Sequence, residues 1–221
     1  KQESNSFRTT MESTNHTELS KVVAIRILDG LLKIQAEPNE GKIQKKITKL
    51  LMSLNEKNAI RTLYQYGGIA GVKAAFNLSA NKSQDLLCTY IFVARALGVD
   101  RRYAYDMVQI EIDELLSRCS LDKYANYIVK SANDSRVHLV VINDTGIPEY
   151  LIKSILRSRF RLRCVQIITL PISSKAEINE LWNHMLNQYK NVSIHYISTE
   201  INDVLIPHHS QIHLSYLNEQ E

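Results

Sequence analysis

Val137-His-Leu-Val-Val-Ile-Asn-Asp-Thr-Gly-Ile-Pro148 is the stretch that decides the fold. Its first six residues form an apolar, largely β-branched run, which predicts a buried strand over 137–142. Asn143-Asp144-Thr145-Gly146 then supplies turn chemistry, and the fixed φ of Pro148 suits the first turn of a helix. Strand, turn and helix are therefore legible in one short segment.

The same alternation continues downstream. Tyr150, Leu151, Ile155 and Leu156 give the helix an apolar side. A second strand is expected over 162–170, and a helix over 174–190 carries Ile178, Leu181, Trp182, Met185 and Leu186. A third strand is expected over 192–198 and a fourth over 211–216. This order implies a mostly parallel sheet with right-handed crossovers. Residues 133–221 are thus expected to form a small α/β domain, the change of character falling at Ser131-Ala-Asn-Asp-Ser135.

Upstream the apolar period is helical, and residues 18–131 read as an all-helical domain. Val23, Ile27, Leu31 and Ile34 make one stripe at helical spacing. After Pro38 and Gly41, a second helix turns Ile43, Ile47, Leu50, Leu51 and Leu54 inward and Lys42, Lys45, Lys46 and Lys49 outward. A third runs through Leu63 and Tyr64 to Gly67-Gly68, a fourth covers 69–78, and a fifth runs from Asn81 to Leu97. Asp100 is expected to cap a helix over 101–118 that buries Ala104, Met107, Val108, Ile112, Leu115 and Leu116. Ser120 is expected to cap a last one through Val129. Residues 1–17 hold Phe7 and Met11 as their large apolar side chains, too few to offset ordering entropy, and are expected to be a flexible polar tail.

Within the helical part, Val93-Ala-Arg-Ala-Leu-Gly-Val-Asp-Arg-Arg-Tyr-Ala-Tyr-Asp-Met107 has the spacing of a helix-turn-helix. Ala94 permits close crossing, and Gly98 four residues on can adopt a left-handed turn. The second helix opens with Arg101, Arg102 and Tyr103, with Tyr105 close behind, residue types suited to a DNA groove and its phosphates. The lysines of 42–49 are candidates for further backbone contacts. The same spacing also serves an ordinary helical corner, and Asp106, Glu111, Asp113 and Glu114 oppose phosphate along the later part of that helix.

Charge placement agrees with a polyanionic partner. The chain carries +4 at pH 7. Residues 1–134 hold 19 Lys and Arg against 15 Asp and Glu, while residues 135–221 hold 8 of each, so the excess lies in the first half. A hydrophobic fraction of 44% and a charged fraction of 23% are those of an ordinary globular chain. No apolar run reaches the length of a membrane span, about 18 residues, so no membrane partner is expected. Cys88, Cys119 and Cys164 are scattered without C-x-x-C spacing, which fits a reducing cytoplasm and no disulfide framework.

Other constellations bear on chemistry. Asn143, Asp144, Thr145 and Gly146 follow the first strand of the α/β part, where open parallel sheets bind ligands. Asx-type capping explains the same residues. Arg157, Arg159, Arg161 and Arg163 would share a face at period two in a strand, whereas a helix ending near Arg159 would place Arg157 and Arg159 at its C-terminus. His195, His208, His209 and His213, with Glu200 and Asp203, match no established zinc spacing. There is no G-x-G-x-x-G, no Walker pattern and no nucleophile elbow, so neither a cofactor, a metal nor an enzymatic activity is expected. The expectation is a DNA-binding regulatory or accessory protein whose α/β part serves dimerisation, partner contact or ligand binding. The alternative is a protein-protein adaptor that binds no nucleic acid.

Overall fold

The computed structural model describes residues 19–27, 31–77, 85–121, 125–134, 136–143, 145–161, 165–169, 175–198 and 209–216. The polar tail expected over 1–17 and the helix start expected at Asn81 lie outside them.

The chain opens with strand β1 (Lys21–Arg26) and the short β2 (Leu32–Ile34). Helices α1 (Glu40–Ser53), α2 (Lys57–Gln65), α3 (Ile69–Ala75), α4 (Leu86–Leu97) and α5 (Tyr103–Ser117) follow. Strand β3 (Cys119–Leu121) pairs with β2 as a two-stranded ribbon. Then come α6 (Ala125–Ala132), β4 (Val137–Asn143), α7 (Glu149–Phe160), β5 (Val165–Thr169), α8 (Lys175–Gln188), β6 (Ser193–Ser198) and β7 (Ile212–Tyr216).

Two compact units result. The sheet unit holds the described residues up to Lys33, from Leu121 to Thr145 and from Glu149 onward. The helical unit holds Ile34–Ser120 with Gly146–Pro148. The helices thus interrupt the α/β unit, rather than preceding it as residues 18–131 were expected to do.

The sheet unit is built on five parallel strands in the order β5-β4-β1-β6-β7. β1 lies at the centre, with Ala24 in register with Val140 of β4 and with Tyr196 of β6. The helix expected through Val23, Ile27, Leu31 and Ile34 is therefore corrected: residues 21–26 are a strand. Val22, Val23, Ala24 and Ile25 are all buried, because a central parallel strand is covered on both faces and reads as one apolar run without alternation.

On one face, Val22, Ala24, Val140, Ile142, Ile194 and Tyr196 meet Leu181, Trp182, Met185 and Tyr189 of α8 and its end. The Trp182 and Tyr196 rings pack edge to face at 5.4 Å. Val23, Ile25, Leu139, Val141 and Ile167 project to the other face and are buried there too. α6 packs against β4 and α7 against β5. Burial of each such side chain contributes about 1.5–3 kcal/mol.

In the helical unit, Asn39 caps α1 by accepting a hydrogen bond from the Lys42 amide at 3.0 Å. Ile43, Ile47 and Leu51 form its buried stripe. Asp85 caps α4, accepting from the Leu87 amide at 2.6 Å. Gly98 ends α4 at φ 71°, and the Val99 amide reaches back to the Ala94 carbonyl at 3.0 Å, a closure that needs a left-handed residue at Gly98. In α5, Ala104, Met107, Val108 and Ile112 are buried as expected, while Leu115 and Leu116 are half-buried and Glu114 is buried in their stead. The segment expected as a helix from Ser120 starts instead as β3, with α6 beginning at Ala125.

Candidate functional site

Three places hold the residues singled out from the sequence. The first is α1. Spacing of i, i+3, i+4 and i+7 places Lys42, Lys45, Lys46 and Lys49 on one face, and all four are exposed. This face is opposite the Ile43, Ile47 and Leu51 stripe, so hydrophobic burial of one side of the helix sets the cations out on the other.

Lys42 has a second role. Glu114 on α5 is buried, and burial alone pulls its carboxyl upward in pKa. The Arg118 Nε donor at 3.2 Å, the Asn39 amide at 3.3 Å and the Lys42 charge outweigh that, holding it below the ordinary glutamate value. By sequence Glu114 belongs with the acids that repel phosphate; its charge is instead satisfied within the unit.

The second place is the corner between α4 and α5, which are packed neighbours. Arg101 and Arg102 are exposed in the turn before α5. Asp100 accepts from the Arg102 amide at 2.9 Å within the turn, but α5 begins at Tyr103 with Arg102 at its cap position and no side-chain cap, so the capping expected of Asp100 is corrected. Arg102 is also drawn to Asp100, Nε to Oδ2 3.6 Å, and its guanidinium lies 5.1 Å from the Tyr103 ring centroid. Tyr105 is exposed and Tyr103 half-buried. Asp106 is exposed in the first turn of α5 and Asp113 two turns further on, so carboxylates oppose phosphate along this helix from its start. Glu111 faces inward, where it pairs with Lys73 of α3 at 2.9 Å.

The third place is the carboxyl edge of the sheet. The strand order reverses between β1 and β6, the position at which open parallel sheets take ligands. Asn143 at the end of β4 and Ser198 at the end of β6 are both fully buried. Asn143 Oδ1 accepts from the Thr145 amide at 3.3 Å and from Thr145 Oγ1 at 2.6 Å, an Asx-type fastening of the turn. Gly146, at φ 77°, belongs to the helical unit. Asp144 lies outside the described residues. Glu149 opens α7 and pairs with Lys153 at 3.1 Å, which sets a negative charge where an anion would bind the helix end.

The remaining candidates fall elsewhere. Arg157 and Arg159 stand in the last turn of α7 and Arg161 follows it at φ 52°, so no period-two stripe forms among them. Arg163 lies outside the described residues, as do His208, Glu200, Asp203 and Cys164. His195 and His213, partners in register on β6 and β7, stack at 5.1 Å. Burial, His213 and Lys21 together push the His195 pKa down. Among the described residues, no three metal-ligating side chains converge, and no helix is long and apolar enough to cross a membrane.

Two features escape a reading of the sequence. One is a polar chain on the α8 face: His138 Nδ1 lies 2.8 Å from Tyr189 Oη, whose hydroxyl donates to Gln166, and Gln166 and Gln188 exchange amide hydrogen bonds at 3.1 and 3.2 Å. The other is a set of exposed aromatic rings, Tyr64, Tyr66 and Phe76, in the helical unit. Comparison with protein-family models and with curated proteins finds no match to this chain.

Proposed function

We propose that this is a cytoplasmic DNA-binding regulatory or accessory protein whose helical unit makes the nucleic-acid contact. The observation that carries the reading is the uniformly cationic α1 face of Lys42, Lys45, Lys46 and Lys49, exposed in the same unit as Arg101 and Arg102. A face of one sign attracts a polyanion and releases its counterions. In this reading the α4-turn-α5 corner acts as a helix-turn-helix, with Arg101, Arg102, Tyr103 and Tyr105 at the duplex. The sheet unit takes a small ligand, a partner or a second copy, and its reversal of strand order between β1 and β6 favours the ligand.

The test is fluorescence anisotropy with labelled random-sequence duplex DNA, comparing the wild type with an Arg101→Ala/Arg102→Ala variant of equal thermal stability. The reading expects salt-dependent binding that the variant weakens. No binding to any nucleic acid at about 50 mM salt would leave the adaptor reading in its place.

A further inference from the structure

We infer that the helical unit carries a further nucleic-acid surface, for a single strand, beside the duplex-reading corner proposed above, with its stacking rings on α2 and at the ends of α2 and α3. This inference rests on the nucleic-acid reading above and names the substrate class. Residues 40–77 hold seven Lys and Arg against two Glu, a net of +5 that exceeds the +4 of the whole chain. Lys73 of α3 is paired with Glu111, so the exposed cations of this stretch are those of α1 and α2, and the Arg101–Arg102 corner lies outside it.

Aromatic rings accompany those cations. On α2, Lys57, Arg61 and Tyr64 follow one another at i, i+4 and i+7 and are all exposed, with Tyr64 70% accessible. At the end of the same helix, the Tyr66 ring meets Phe76 beyond α3 at a centroid distance of 5.6 Å, and these two are 41% and 47% accessible. Gly71 holds this end of the unit tight, since a Cβ there would fall 1.6 Å from the Tyr66 carbonyl oxygen.

Exposed rings beside cations fit unpaired bases. A duplex hides its base faces in the stack, whereas a single strand offers both a phosphate backbone for the α1 and α2 cations and π-faces for the rings. An acidic protein would match the charge, but its backbone carries no planar ring at every repeat as a nucleic-acid strand does. Stacking of this kind tolerates any base, so weak sequence preference is expected.

The experiment compares three labelled probes, oligothymidylate and oligouridylate of about 16 nucleotides and a hairpin duplex of similar length, by anisotropy at about 50 mM salt. Both single strands are expected to bind more tightly than the duplex. Tyr64→Ala, Tyr66→Ala and Phe76→Ala are each expected to weaken single-strand binding about tenfold with little change in duplex binding. The two single strands also report whether DNA or RNA is favoured. Equal binding of all probes and of polyglutamate, unaffected by the ring variants, would overturn the inference in favour of a general polyanion or acidic-protein surface. Duplex preference lost in Arg101→Ala/Arg102→Ala would overturn it while leaving the proposed function standing. No binding of any nucleic-acid probe would overturn both.

Discussion

Tyr90 on α4 donates its hydroxyl hydrogen to Glu111 on α5, directly joining the two helices that form the corner. The same Glu111 oxygen lies 2.9 Å from Lys73 Nζ of α3, which in turn sits 4.7 Å from the Tyr90 ring centroid. Three helices are thereby fixed through one carboxylate. Burial, then the Glu111 charge, push the Tyr90 pKa far up, so the phenol remains a donor at every physiological pH. Tyr90→Phe keeps the ring and deletes the donor, and is expected to lower unfolding stability by about 1.5 kcal/mol, measured by urea denaturation. An unchanged midpoint would show that the bond contributes nothing net.

Two glycines of the helical unit separate backbone strain from steric exclusion. Gly98 has φ 71° and open space where a side-chain methyl would stand, so Gly98→Ala carries only the left-handed penalty, about 1 kcal/mol. Gly71 sits inside α3, where alanine is ordinarily favoured. Its Cβ would collide with the Tyr66 backbone, so Gly71→Ala is expected to cost about 3 kcal/mol. Thermal denaturation of both variants checks the order, and a Gly71→Ala protein as stable as the wild type would refute the close approach.

Acid should weaken the sheet unit before it reaches the carboxylate range. Burial holds the pKa of His138 below the ordinary 6.5, and His195 is depressed in the same direction by burial, His213 and Lys21. The unfolded chain therefore binds more protons than the folded one below neutrality. The stability this contributes is complete above about pH 6.5 and is lost as pH falls through the folded values. Glu114, held below 4.5, adds a separate loss at lower pH. Denaturation midpoints at stepped pH are expected to show the first limb shrink in a His138→Gln variant and the second persist.

The parts of the fold that could be read from sequence are those governed by local pattern. Val137–Asn143, Glu149–Phe160 and Ser193–Ser198 each carry a signal within their own residues, and each forms where the pattern places it. β1 could not be read so. Its partners Val137–Ile142 lie more than a hundred positions downstream, and its own run of buried residues has no period that distinguishes strand from helix. The helical stripe through Val23, Ile27 and Leu31 leaves Ala24 to one side. In the sheet Ala24 is fully buried between β4 and β6, so Ala24→Asp is expected to abolish folding, read by loss of the circular-dichroism transition.

The candidate surface divides in the same way. The α1 lysines were legible because helical spacing separates them from Ile43 and Ile47. Exposure of Tyr64, Tyr66 and Phe76 was not, since a tyrosine in a helix is as readily read as core, and only the packing of α2 and α3 turns these three outward.

The most direct measurement of the central claim is the salt dependence of single-strand binding with and without the α1 cations. Replacing Lys42, Lys45, Lys46 and Lys49 by Gln is expected to flatten the slope of log affinity against log salt by up to about 3, at roughly 0.7 per lost phosphate contact. A slope equal to that of the wild type would contradict nucleic-acid binding through this face.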